Sequence, residues 1–162
     1  MRFAFIISII FLFTIAEWSI YSQQKTHTSS IKALRLYREG VKYYDFVDYS
    51  SAEVSFRQAI DADPGFYEAY MMLGELMAKQ KRFTEAVHNF RMAVKIDSAF
   101  YMPVYFSLAN AEISTGDYES AKRHYIIYLG LDNISEKNRK IATRDIKNCD
   151  FAIDAVKNPV PF

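Results

Sequence analysis

At 162 residues and a formal net charge of +1, the chain has room for one domain and lacks the basic excess that nucleic-acid binders carry. Hydrophobic residues make up 51% and charged residues 24%, which supports a packed core and argues against disorder. Five Gly and four Pro favour long helices over a strand-rich fold, while 12 Tyr and 13 Phe ask for a structural reason.

In chain order, residues 1–22 read as a signal peptide. Arg2 supplies a short positive start, Phe3 to Ile15 is an apolar run broken only by Ser8 and Thr14, and Glu17 ends it. A helix of that length covers roughly 20 Å, short of the roughly 30 Å hydrocarbon core of a bilayer. A cleaved leader therefore fits better than the alternative, an uncleaved anchor running to Ile20. Ser22 is a small residue suited to precede the cut, which starts the mature chain at Gln23. No Cys lies near this segment, which excludes a lipoprotein anchor there. Residues 23–30 are polar and read as a flexible lead-in.

A repeat follows. Gly40, Tyr49, Ala52, Phe56, Ala59 and Asp63 recur 34 residues on as Gly74, Phe83, Ala86, Phe90, Ala93 and Asp97. A shift of 35 gives a third copy at Leu108, Ala109, Tyr118, Ala121 and Tyr125. Such self-similarity marks stacked supersecondary units. Each copy splits into two stretches of helical period around a short polar turn: Val47-Asp48, Lys81-Arg82 and Gly116-Asp117. Gly40, Gly74 and Ala109 are small, so two helices can approach there, and Ala52, Ala86 and Ala121 match them from the second helix. Phe56, Phe90 and Tyr125 are expected to fill the gap to the next repeat. Asp63-Pro64 closes the first copy, because Pro cannot continue a helix.

This pattern resembles the tetratricopeptide repeat (TPR) family. The resemblance rests on Leu73-Gly74, the Gly-Asp-Tyr turn at 116–118, and the Ala-x-x-x-aromatic-x-x-Ala runs at 52–59 and 86–93. It covers residues 31–132 and implies three repeats, at about 33–66, 67–100 and 102–133. The chain departs from the pattern at Glu39, at Ser98 where a closing Pro is usual, and at Tyr128. An extra residue also stands between the second and third repeats. The fold expected is all-α: a TPR solenoid of three helix-turn-helix repeats plus a C-terminal capping helix.

The capping segment is 134–157. Ser135 precedes a run without Gly or Pro. Ile134, Ile141, Ala142, Ile146, Cys149, Ala152, Ile153 and Val156 form an apolar stripe opposite Lys137, Arg139, Lys140, Arg144 and Lys147. A solenoid needs such a helix to seal its last repeat. Residues 158–162 form an extended tail. The stretch from Asn148 to Ala152, with Val156 to Phe162, resembles a junction of Bacteroidetes-type envelope proteins. In those proteins a signal peptide and TPR repeats precede a β-propeller and an OmpA-like domain. This second resemblance implies an exported chain, periplasmic or associated with the outer membrane.

No catalytic constellation is legible. His27, His88 and His124 are dispersed without Cys or paired carboxylates at metal-ligand spacing, so neither a metal nor a cofactor is expected. There is no Gly-rich phosphate loop and no nucleophile elbow. Cys149, the single Cys, falls on the apolar stripe and is expected buried. What remains is binding. The TPR resemblance implies a concave face built from the first helix of each repeat, where a protein or peptide partner lies. By position this face carries Leu34, Tyr37, Val41, Tyr44 and Asp45, then Glu68, Met71, Glu75, Ala78 and Lys79, then Phe106, Asn110, Ile113 and Ser114. Tyr37, Tyr44, Met71, Glu75, Phe106 and Asn110 are the partner-binding candidates. Aromatics there give large contact area at low entropic cost, and Met adapts its shape. The clamp of Lys, Arg and Asn that grips C-terminal carboxylates in chaperone-binding relatives is missing: its positions hold Tyr37, Val41, Met72, Pro103 and Ser107. The expected function is a non-catalytic adaptor of the cell envelope. The alternative is a structural N-terminal arm, or a truncated fragment, of a larger propeller- and OmpA-like-domain-bearing protein associated with the outer membrane, with no ligand of its own.

Overall fold

A computed structural model describes residues 26–158. The expected signal peptide, the start of the lead-in and the last four residues of the tail lie outside the described residues. Seven helices appear among those residues, and no strand: α1 Ile31–Asp45, α2 Tyr49–Ala62, α3 Tyr67–Lys79, α4 Phe83–Ile96, α5 Val104–Ser114, α6 Tyr118–Leu129 and α7 Glu136–Lys157.

Local chemistry sets these bounds. The side chains of Ser30, Asp48, Asp117 and Ser135 each accept a hydrogen bond from the backbone N–H three residues on, capping α1, α2, α6 and α7. Inside each repeat the first helix ends in the same tight turn. Asp48, Arg82 and Asp117 each donate their N–H to the carbonyl five residues back, at 2.9 Å. The residue before each donor is left-handed: Val47 at φ 63°, Lys81 at φ 62° and Gly116 at φ 80°. Only the third repeat uses glycine there. Between repeats, Asp63 and Asp97 are extended, and their carboxylates accept from Gly65 N–H at 3.0 Å and Ala99 N–H at 2.9 Å. The second repeat thus turns on its Asp alone, which explains how Ser98 can replace a proline.

Pairs α1–α2, α3–α4 and α5–α6 form the three repeats. Each second helix then packs on the next first helix, and α6 packs on α7. The seat inside a repeat is an aromatic ring on a glycine. A Cβ added to Gly40 or Gly74 would stand 2.7 Å from the ring of Phe56 or Phe90. These rings, expected to reach toward the following repeat, instead press on the glycine of their own. Both are fully buried beside Ala52 and Ala86. The third repeat substitutes Ala109 and Tyr125, and the Tyr125 hydroxyl donates to the Asn110 side chain at 2.6 Å.

A buried ionic network ties the second repeat to the third. Glu112 has no exposed surface. One of its oxygens accepts from the Arg91 guanidinium at 2.7 Å and the other faces His124 Nδ1 at 2.6 Å. Arg91 also reaches Asp117 at 2.8 Å. Glu112 lies seven residues beyond Tyr105 on the stripe that includes Leu108 and Ala109, so the helix buries it and partners must answer its charge.

The lead-in, expected flexible, is seated over the part described. Thr28 is buried and donates to the Asp63 carboxylate, while His27 lies between Glu68 and Asp97, with its ring against Tyr67 and Phe100. Its polar composition suggested solvation. The inter-repeat acids supply partners that composition alone does not reveal.

The cap α7 buries Ala142, Asp145 and Cys149, with Ile134, Ile146 and Ile153 packed against the core. Lys122 pairs with Asp150, and Lys157 reaches Glu119 at 3.4 Å, so α7 runs back along α6. The expected stripe holds except at its end, where Val156 is exposed. The five basic residues lie on the solvent side. Among the described residues, no helix is long and apolar enough to cross a membrane.

Two glycine exchanges should act in opposite directions. Val47→Gly relieves a left-handed β-branched residue and should raise stability by about 1 kcal/mol. Gly74→Ala forces a methyl into the Phe90 ring and should lower stability by about 1–3 kcal/mol despite alanine's better helix propensity. Urea unfolding of both variants checks this. Shifts of one sign, or a neutral Gly74→Ala, would contradict the ring-on-glycine seat.

Candidate partner-binding groove

Curvature follows from which helices meet. α1 touches α3 and α3 touches α5, whereas α2, α4 and α6 make no comparable contacts with one another. First helices therefore lie on the inside of the bend and second helices on the outside. The inner face opens into a groove of about 300 Å³ lined by Tyr44, Glu75, Ala78, Lys79, Phe83, Phe90, Ser107, Asn110, Ala111 and Ser114.

Of the six partner-binding candidates, Tyr44, Glu75 and Asn110 line this groove. Tyr37 lies further up the same wall, half-buried against Phe56 and Phe66, with ring centroids 6.0 and 5.0 Å away. Burial pushes its hydroxyl up from the ordinary tyrosine range, and the nearby carboxylates of Glu68 and Glu75 add to the shift. Met71 is 7% exposed and belongs to the core, so it offers a partner little surface in this conformation. Phe106 is not among the groove-lining residues. Its ring stacks 5.9 Å from Tyr125 and 5.0 Å from Tyr128, toward the third repeat's second helix. Repeat position alone fixes the helix but not its exact rotation, and a fraction of a turn separates facing the groove from facing the neighbour.

Glu75 is the conspicuous group. Its carboxylate makes no hydrogen bond or ion pair within the described residues. It is open to water, yet it stands in a concave wall crowded by protein. That partial desolvation pushes its carboxyl above the ordinary glutamate range, and Lys79 offsets this only in part. Lys79 is held elsewhere, its ammonium 5.7 Å from the Tyr44 ring centroid and 5.9 Å from that of Tyr49. Burial likewise raises the Tyr44 hydroxyl, eased by Lys79. Glu68, on the same helix, is already bonded by the His27 backbone N–H at 3.2 Å and faces its ring.

Sequence reasoning missed Phe83, Phe90 and Ala111 as lining residues, and placed Ser107 on the inner face only as a position of the missing clamp. Phe83 and Phe90 belong to a second helix but reach the groove beside the small side chains of Ala78 and Ala111. It also missed the His27 clasp, for which nothing local gives a signal. Glu112 did leave one: an acid on an otherwise apolar helical stripe.

The histidines occupy three separate settings: the clasp, the Glu112 network, and for His88 the outer surface between α2 and α4. Among the described residues, no group of three His, Cys, Asp or Glu could hold a metal ion. Cys149 is buried, and burial raises its thiol, with Asp145 and Asp150 adding to the shift.

Glu75→Gln gives a signed pH test. A raised folded-state pKa for an acid means that stability is fully present below the unfolded value, about 4.3, and falls as pH rises through the folded value. The Gln variant should therefore melt above the parent at pH 7, by about 2 °C or less, and converge with it below about pH 4. A lower melting temperature at pH 7 would show that Glu75 has a stabilising partner.

A tetratricopeptide-repeat family model matches residues 37–99. The first TPR of Spaghetti (RPAP3), bound to the HSP90 peptide SRMEEVD, is 25% identical, with a TM-score of 0.67 over 79% of this chain and 98% of that one. The TPR2B domain of yeast Sti1, from its pHsp70 complex, is also 25% identical, with a TM-score of 0.59 over 76% and 96%. The Yersinia enterocolitica type III secretion chaperone SycD, in complex with a peptide of the translocator YopD, shares the fold at 18% identity and a TM-score of 0.61, over 80% and 98%. No curated protein matches. The expected architecture thus stands: the chain folds as a TPR solenoid of helix-turn-helix repeats.

Proposed function

We propose that the chain is a non-catalytic adaptor that holds a segment of a protein partner in its concave groove. The observation that carries this is the groove itself, an open channel across α3 and α5 that mixes apolar walls with polar side chains, among them the unpaired Glu75. Solved relatives of this fold hold peptides: an HSP90 peptide in the first TPR of RPAP3, and the pHsp70 complex in yeast Sti1. Such a groove works by burying aromatic and aliphatic side chains of the partner while polar groups fix its register. Tyr44, Ala78 and Phe83 supply the apolar contact, and Asn110 and Ser114 supply hydrogen-bonding groups.

The setting we infer is the cell envelope. The apolar run Phe3 to Ile15 behind Arg2 supports export, and the junction at 148–162 supports kinship with envelope proteins that carry a propeller and an OmpA-like domain. That junction also favours the second reading, an N-terminal arm that positions such domains and has no ligand of its own.

A photo-crosslinking residue placed at Ser114 in the groove, and separately at Val54 on the outer face, tests the adaptor reading in the producing cell. The expected result is a discrete covalent adduct from position 114 and none from 54. No adduct from 114, or the same adduct from both positions, would count against a groove partner and favour the arm.

A further inference from the structure

We propose that the groove selects a partner segment carrying a Lys or Arg beside an apolar residue, with Glu75 as the group that receives the positive charge; this rests on the reading of the groove as a partner site.

Two charged side chains line the groove, Glu75 and Lys79. They are four residues apart on α3, a spacing at which opposite charges usually pair. They do not pair here, because the Lys79 ammonium sits over the rings of Tyr44 and Tyr49 at the α1–α2 turn. Glu68 is taken by His27. The acids at the repeat seams and against the cap are paired: Glu53 and Glu85 with Arg57 and Arg82, Asp117 with Arg91, and Asp150 with Lys122. Glu75 is thus a carboxylate held in a concave, partly dried wall without a counter-charge. A guanidinium or ammonium from outside would meet it at full charge-assisted strength.

The neighbouring surface fits the rest of such a side chain. Its methylene stem can lie along Tyr44 and Ala78, leaving the charged head at Glu75. An apolar neighbour in the partner would find Phe83, whose ring is only partly buried. The same arrangement works against acidic partners. A segment such as SRMEEVD, which the first TPR of RPAP3 holds, would bring carboxylates toward Glu75. Like-charge juxtaposition rejects a wrong partner as effectively as attraction selects the right one.

A phage-displayed library of random dodecapeptides, panned on the purified protein, tests this. Enriched peptides should carry Lys or Arg next to an apolar residue. Made synthetically, they should lose about tenfold or more in affinity on Glu75→Gln, the loss expected when a charge-assisted hydrogen bond is removed. Replacing the peptide's Lys with norleucine should weaken binding to the parent and leave binding to Glu75→Gln little changed. That coupling would not arise if Glu75 only shaped the fold. Exposed Glu119→Gln on α6 should have no effect. Peptides lost on Ser114→Trp but neutral or acidic, or indifferent to Glu75→Gln, would overturn the charge assignment while leaving the adaptor reading standing. Failure to enrich any peptide, or binding insensitive to Ser114→Trp, would overturn both.

Discussion

A phenyl ring pressed onto a glycine sets the distance between the two helices of a repeat, and the remaining geometry follows from that distance. With no Cβ at Gly40 or Gly74, Phe56 and Phe90 can lie directly on the facing backbone. The alanines at 52 and 86 keep the approach close along the same line. Helices packed this tightly behave as one rigid unit, and a rigid pair stacked on another must offset in the same sense each time. First helices then gather on the inside of the bend and second helices spread on the outside. The groove is a consequence of this spacing rather than a separate feature.

Charge finishes what packing begins. The outer surface ties its repeats with Arg-carboxylate pairs, and the second and third repeats share the buried Glu112 network. Removing one partner from such a network leaves a stranded buried charge, so these groups hold the register of the stack. At the inter-repeat edge, Asp63 and Asp97 serve twice. Each closes a turn with backbone N–H groups and also receives the lead-in through Thr28 or His27. In the groove Glu75 stands outside this pattern, and there the molecule leaves an ion pair to be made with something else.

Much of the fold was legible because the repeat is periodic and its special positions are chemical necessities. Gly40 and Gly74 at one helix, Ala and Phe at the next, and Asp at each exit announced the helix pairs and their turns. Cys149 on the cap's apolar stripe was placed correctly for the same reason. The groove was legible only in part. Tyr44, Glu75 and Asn110 line it, but Met71 turned into the core and Phe106 toward Tyr128, since a repeat alignment gives the helix and not the last tens of degrees of rotation. Long-range polar contacts left the weakest trace. His27 and Glu68 are forty-one residues apart, and nothing in the local pattern of either marks the other. Val47 illustrates a further limit: its left-handed turn is dictated by the helix pair around it, against its own preference.

The central claim is that the inside of the bend receives a partner segment. Amide chemical-shift mapping of the isotope-labelled protein, titrated with a peptide that it binds, tests this most directly. The largest shifts should cluster at Tyr44, Ala78, Ser107, Asn110 and Ser114, with α2 and the outer face of α4 undisturbed. Shifts concentrated on those outer helices, or on the solvent face of α7, would contradict it.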